Sequence, residues 1–143
     1  MVCLEWLDPL IVAGHWVPEM VALAGGEDVL GRPSLPSFTV SWAQVVDAQP
    51  QVLVLMPCGY TAEQTLQQVG LLARLPGWDR LPAVRQGKVF ATNAHAYYSR
   101  PGPRLVEGLE MLAEMLHPER FRGYLGPGRA FSVPAYALAG AHS

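Results

Sequence analysis

Cys58-Gly59-Tyr60 stands two residues after an unbroken apolar run, Val52-Leu53-Val54-Leu55. Two other short stretches carry comparable chemistry: Trp6 to Trp16, which includes Gly14-His15-Trp16, and Asn93-Ala94-His95-Ala96-Tyr97-Tyr98. Indole and phenol rings offer broad apolar faces with a polar edge. Imidazoles add a hydrogen bond or an axial contact to a metal. A thiol beside a histidine could act as a nucleophile. Against that last chemistry, Cys58 has no neighbouring feature that would lower its pKa, so it also reads as a small packed hydrophobe. The spacing of Cys58, His15 and His95 does not demand a metal. His15 and His95 read equally as surface or capping residues, and Trp16 as helix core. In an extended segment Tyr97 and Tyr98 point to opposite sides, so one of them should face solvent or a ligand. Glu5 and Asp8 form a possible carboxylate pair, but no nucleophile stands beside them. No glycine-rich phosphate loop follows any apolar run, which argues against nucleotides. No catalytic residue and no metal-ligand set is therefore assigned.

These residues need elements to hold them. Val2 to Leu7 reads as a strand closed by the turn Asp8-Pro9. His15 to Ala24 has helical spacing, with Pro18 in its first turn and Gly25-Gly26 at its end. Residues 31–40 read as a loop, and Ser41 caps a short helix to Ala48. Val52 to Leu55 has the continuous apolar character of a strand buried on both faces. Thr61-Ala62-Glu63-Gln64 is a capping box, opening a helix with Leu66, Val69, Leu72 and Ala73 on its core side. Leu81 to Gln86 is a short helix, Val89 to Ala91 a strand, and the segment from Thr92 to Pro103 a long polar and aromatic loop. The last helix has Leu105, Val106, Leu109, Leu112, Ala113 and Leu116 on its buried side and ends at His117-Pro118. Strands alternating with helices predict an α/β fold: a parallel, Rossmann-like sheet in a three-layer lobe, with helices on both faces and Val52–Leu55 central. In such a sheet ligands sit at the carboxyl ends of the strands. The three chemical stretches follow the three strands, so they should share one edge. Residues 1–122 form the lobe, and 123–143, rich in Gly, Pro and Ala, read as a weakly ordered tail.

The totals narrow the function. The 143 residues are half apolar, 15% charged and carry a formal net charge of −2, which fits one globular domain. The nine arginines are scattered, so there is no nucleic-acid footprint. No apolar run reaches a membrane span, and no signal peptide is visible, which leaves a cytoplasmic location open. Cys3 lies near the start of one strand and Cys58 beyond the end of another, too far apart for a disulfide.

Three longer strings are more specific than any single residue: "EWLDPLIVAGHWVPEMVALAGGEDVL", "SWAQVVDAQPQVLVLMPCGY" and "GKVFATNAHAYYSRPGPRLVEGLEMLAEMLHPERF". Together they resemble the C-terminal lobe of the cobalamin- and siderophore-type ABC-transporter substrate-binding proteins. The resemblance covers residues 2 to about 121 and implies a non-enzymatic binding lobe without its N-terminal lobe. It implies a transported ligand rather than an intrinsic cofactor. That ligand is cobalamin or a related corrinoid, with a siderophore or haem-type iron complex as the alternative. A small enzyme using Cys58 with a histidine is a further alternative, and an interaction module using the apolar strand-tip face another. The implied ligand wall is Trp6, His15, Trp16, Cys58, Gly59, Tyr60, Asn93, His95, Tyr97 and Tyr98. The implied location is extracytoplasmic, typically periplasmic. The implied partners are the ligand, a transporter permease, and either the missing lobe or a second copy of the chain, with no membrane insertion. Members dock through an acidic residue on this lobe; Ala43 stands near where it is expected.

Overall fold

The computed structural model describes residues 1–99, 102–126 and 128–133. Three parallel strands form the middle of a six-stranded sheet: β1 (Val2–Leu7), β4 (Leu53–Leu55) and β5 (Val89–Thr92). β4 lies between the other two and is fully buried, as the unbroken apolar run requires. Register pairs Leu4 with Leu55 and Leu55 with Ala91, so β1 runs past the tip of β4 by three residues, Glu5 to Leu7.

Three antiparallel strands extend this core: β2 (Leu10–Val12), β3 (Phe38–Thr39) and β6 (Ala130–Ser132), in the order β3-β2-β1-β4-β5-β6. None is anticipated by the pattern of residues. β2 folds back from β1 across Asp8-Pro9, a segment read as loop. β3 lies inside the loop expected over 31–40. With two and three residues, these strands are too short to show a period of two. β6 belongs to the stretch expected as a tail; Val133 after it is buried, its backbone N–H donating to Val89 O at 2.8 Å. The rest of that stretch, residues 134–143, lies outside the described residues.

The helices cover both faces. α1 (Val17–Leu23), α5 (Ala94–Tyr97) and α6 (Arg104–Leu116) pack on the face formed by Cys3, Val52, Val54 and Phe90. α2 (Trp42–Ala48), α3 (Ala62–Ala73) and α4 (Pro82–Arg85) pack on the opposite face, against Val2, Leu4, Leu53, Leu55 and Val89. Alternate residues of each strand thus feed two separate cores. Ser41 and Thr61 cap α2 and α3 with reciprocal bonds to Gln44 and Gln64.

Two residues expected in the core are exposed: Leu66 at 39% and Val106 at 61%. In α3 the inward position belongs to Thr65, whose hydroxyl donates to Thr61 O and Thr92 O, both at 2.9 Å. In α6 the inward face is set by Gly108, Met111, Leu112 and Met115, and Val106 falls on the far side of the helix.

Candidate functional site

The carboxyl ends of β1, β4 and β5 meet at one edge of the sheet. Cys58 N donates to Glu5 O at 3.2 Å, tying the loop after β4 to the protruding end of β1. Gly59 adopts φ +82 in that loop, where a side chain would be strained although nothing lies within 4 Å of where its Cβ would sit. Gly59 N donates to Ser99 Oγ at 3.3 Å and His95 N to Tyr60 O at 3.1 Å, which ties the same loop to α5. A buried ladder lies beneath: Thr92 Oγ1 donates to Leu55 O at 2.9 Å and Thr65 Oγ1 to Thr92 O. These bonds hold the tips of β4 and β5 level.

The aromatic residues fall into two clusters on either side of this edge. Towards α3, Trp6 and Tyr60 meet edge to face, with centroids 5.4 Å apart and planes at 82°. Both are half-buried. They line a pocket of about 210 Å³ with Leu7, Asp8, Pro57, Gln68 and Leu71. Towards α1, the rings of His15 and Trp16 lie 5.6 Å apart, and Trp16 Nε1 donates to Tyr98 O at 3.0 Å. His15 is exposed and has φ +56. Its backbone N donates to Leu35 O at 2.7 Å. Gly14 makes this contact possible, because a Cβ there would lie 2.5 Å from Leu35 O and from Ser37 N.

Other expected site residues turn out to be supports. The segment carrying Tyr97 and Tyr98 is the helical turn α5, not an extended loop, so both rings turn inward. Tyr98 Oη donates to Gly108 O at 3.0 Å, and burial pushes its pKa well above the ordinary phenol value. The guanidinium groups of Arg104 and Arg129 lie 5.9 and 5.8 Å from the centroid of Tyr97. Asn93 is occupied as the cap of α5, accepting from Ala96 N at 3.0 Å and donating to Gly128 O at 2.9 Å. Neither Tyr97 nor Tyr98 therefore presents a free face to a ligand, and Asn93, half-buried, engages its amide in these two bonds.

Trp6, His15, Trp16, Cys58, Gly59, Tyr60 and His95 remain partly or fully exposed at the edge. Cys58 is a free, exposed thiol and Cys3 a free, buried one, so the two are unpaired as expected. Among the described residues no group of three or more His, Cys, Asp and Glu side chains is placed to hold a metal ion. None of the described helices is long and apolar enough to cross a membrane. Gln68, Leu71 and Ser99 were not anticipated. Gln68 and Leu71 lie well along α3, and nothing in the local sequence marks them as lining a pocket.

No protein-family model matches the chain. The vitamin B12-binding protein of Vibrio cholerae is 32% identical over 107 residues, covering 74% of this chain and 35% of that protein. The chain thus spans about a third of the length of the curated relatives it matches. The crystal structure of the periplasmic vitamin B12 binding protein of Vibrio cholerae superposes with a TM-score of 0.64 at 25% identity, covering 85% of this chain and 45% of that one. A periplasmic haem binding protein from Pseudomonas aeruginosa shares the fold, with a TM-score of 0.69 at 20% identity over 93% of this chain and 47% of that one. The chain is homologous, over one lobe, to the vitamin B12-binding proteins of Vibrio, which are binding proteins.

Proposed function

We propose that this chain is a ligand-binding lobe of an ABC-type substrate-binding protein and that its ligand is cobalamin or a related corrinoid. The observation that carries the reading is the junction of three strand tips into one edge, with Trp6 and Tyr60 on one side and His15 and Trp16 on the other. A corrin ring is broad and largely apolar at its rim, and such an edge offers it π faces and methylene surface. His15 and His95, both exposed, can supply a polar or axial contact. The choice of a corrinoid over an iron complex rests on the Vibrio relatives, whose match runs through most of this lobe. An extracytoplasmic location and delivery to a permease belong to the same reading. At the start of α2, Ala43 offers no carboxylate, so a permease contact there would depend on neighbouring groups.

The test is a calorimetric titration of the chain with cyanocobalamin, aquacobalamin, haem and a ferric hydroxamate. One wall of a cleft should bind a corrinoid weakly, at about micromolar or poorer affinity. The aquacobalamin spectrum should shift if an imidazole displaces its water, and the shift should vanish in His15→Ala or His95→Ala. Saturation by haem or the hydroxamate, with no heat or spectral change from either corrinoid, would move the ligand to the iron complexes.

A further inference from the structure

We propose that the pocket beside Trp6 and Tyr60 binds a small molecule through a quaternary ammonium group. The inference goes beyond the corrinoid reading. The pocket lies against α3, with Gln68 and Leu71 on that side.

Four observations converge. The first is the ring pair: Trp6 and Tyr60 meet edge to face at 82° and both line the pocket. A cation held beside such a pair is attracted by the negative face of an aromatic ring. The second is size. About 210 Å³ is room for roughly seven waters at ~30 Å³ each, which suits a small organic ion and not a macrocycle. The third is lining. Pro57 and Leu71 add apolar surface, which suits N-methyl groups and not a primary ammonium that needs several hydrogen-bond acceptors. The fourth is charge. Asp8 is the one formally charged residue lining the pocket, and no lysine, arginine or histidine lines it. An anion would face a carboxylate and no cationic side chain, while a cation finds a counter-charge in Asp8. Gln68 can orient a hydroxyl or carboxylate on the tail.

The test is calorimetric titration with choline chloride, beside its uncharged carbon isostere in which a tert-butyl group replaces trimethylammonium. Choline should bind one to one, and the isostere at least about fivefold more weakly, since it lacks the cation–π and carboxylate contributions. Asp8→Asn should weaken choline and leave the isostere unchanged; Asp8 is exposed, so this variant keeps its fold. Trp6→Leu should weaken choline by about 2- to 25-fold. Equal affinity for choline and the isostere would overturn the proposal. So would the absence of saturation at about 100 mM choline in protein with a normal urea midpoint. Cobalamin binding is measured separately. Its absence would sink the corrinoid reading and leave this one standing.

Discussion

Two glycines inside helices should respond to alanine with opposite signs. Gly108, in α6, faces the α5 turn: a Cβ there would lie 2.8 Å from Tyr97 O, 2.9 Å from Tyr98 Cε1 and 3.3 Å from Met20 Cε. The first of these is backbone, and the second is a ring held by its own bond to Gly108 O, so neither can step aside cheaply. Gly70, in α3, has nothing within 4 Å of a Cβ. Each substitution gains ~0.5–1 kcal/mol from reduced backbone freedom and better helix propensity. Overpacking at Gly108 costs ~1–3 kcal/mol. Gly70→Ala should therefore stabilise, and Gly108→Ala should destabilise by up to ~2 kcal/mol. Because the intrinsic gain is common to both, the difference between the variants isolates the packing cost. With a urea slope on the order of 2 kcal/mol/M, their midpoints should lie ~0.5–1.5 M apart. Coincident midpoints, or a rise in both, would refute the close approach of α6 to α5.

Thiol titration should return one reactive group, Cys58, in the native state and two in denaturant; burial raises the Cys3 pKa well above its ordinary value, so little thiolate forms there. Two fast thiols in native protein would contradict that packing. Thr61→Ala should cost about 1 kcal/mol by removing one arm of the α3 capping box, and Thr61→Ser much less, as read from urea midpoints. Equal losses would show that the hydroxyl is idle. Asp28 is held above the ordinary carboxylate value of 3.8, chiefly by burial, with bonds from Gly31 N and Leu30 N and the N-terminal amine opposing the shift. A raised folded-state pKa adds stability only at low pH, and that stability is lost as pH rises through the folded value. Asp28→Asn should therefore be more stable than the parent at neutral pH, with the gap closing below the ordinary value. A gap that is constant with pH would rule this out.

The parts of the fold that could be read from the sequence are those where local chemistry and tertiary environment agree. Val52–Leu55 has no polar residue to place, so it could only be a strand covered on both faces. Thr61 and Gln64 satisfy the first N–H groups of α3 from the sequence itself, and the structure shows both bonds. β2, β3 and β6 escaped because short edge strands owe their pairing to a neighbour. The α5 turn escaped for a similar reason. Its cap Asn93 is also anchored by Gly128, 35 residues away, and Tyr98 finds its hydroxyl partner on a different helix. Reading that segment as extended turned one of its tyrosines outward, and the candidate site was overdrawn by Tyr97, Tyr98 and Asn93. The Trp6–Tyr60 pair illustrates the remaining limit. Each residue is visible as a tip aromatic, but their 82° contact depends on how far β1 outruns β4, which register alone decides.

That same register bears on how the edge can be used. Trp6 and Tyr60 are half-buried against each other, and Trp16 is half-buried beside His15 and Tyr98. Among the described residues the exposed large hydrophobic side chains are Leu23, Val29, Leu35, Leu66, Leu71, Val106 and Phe121, and of these Leu71 lines the pocket beside Trp6 and Tyr60. A stable dimer interface buries ~800 Å² per partner. With Trp6, Trp16 and Tyr60 half-buried, these rings alone expose only part of that area. A ligand meets a different balance. The edge is already braced by Gly59–Ser99, Tyr60–His95 and Trp16–Tyr98 bonds, so little ordering remains to be done on binding. Burial returns ~25 cal/mol per Å², but only for the side of the ligand that lies on the wall. The loss of translational and rotational freedom, several kcal/mol, is the same whether one side is covered or two. Braced rings on one wall therefore set which ligand fits, while the strength of binding depends on what closes over its other side.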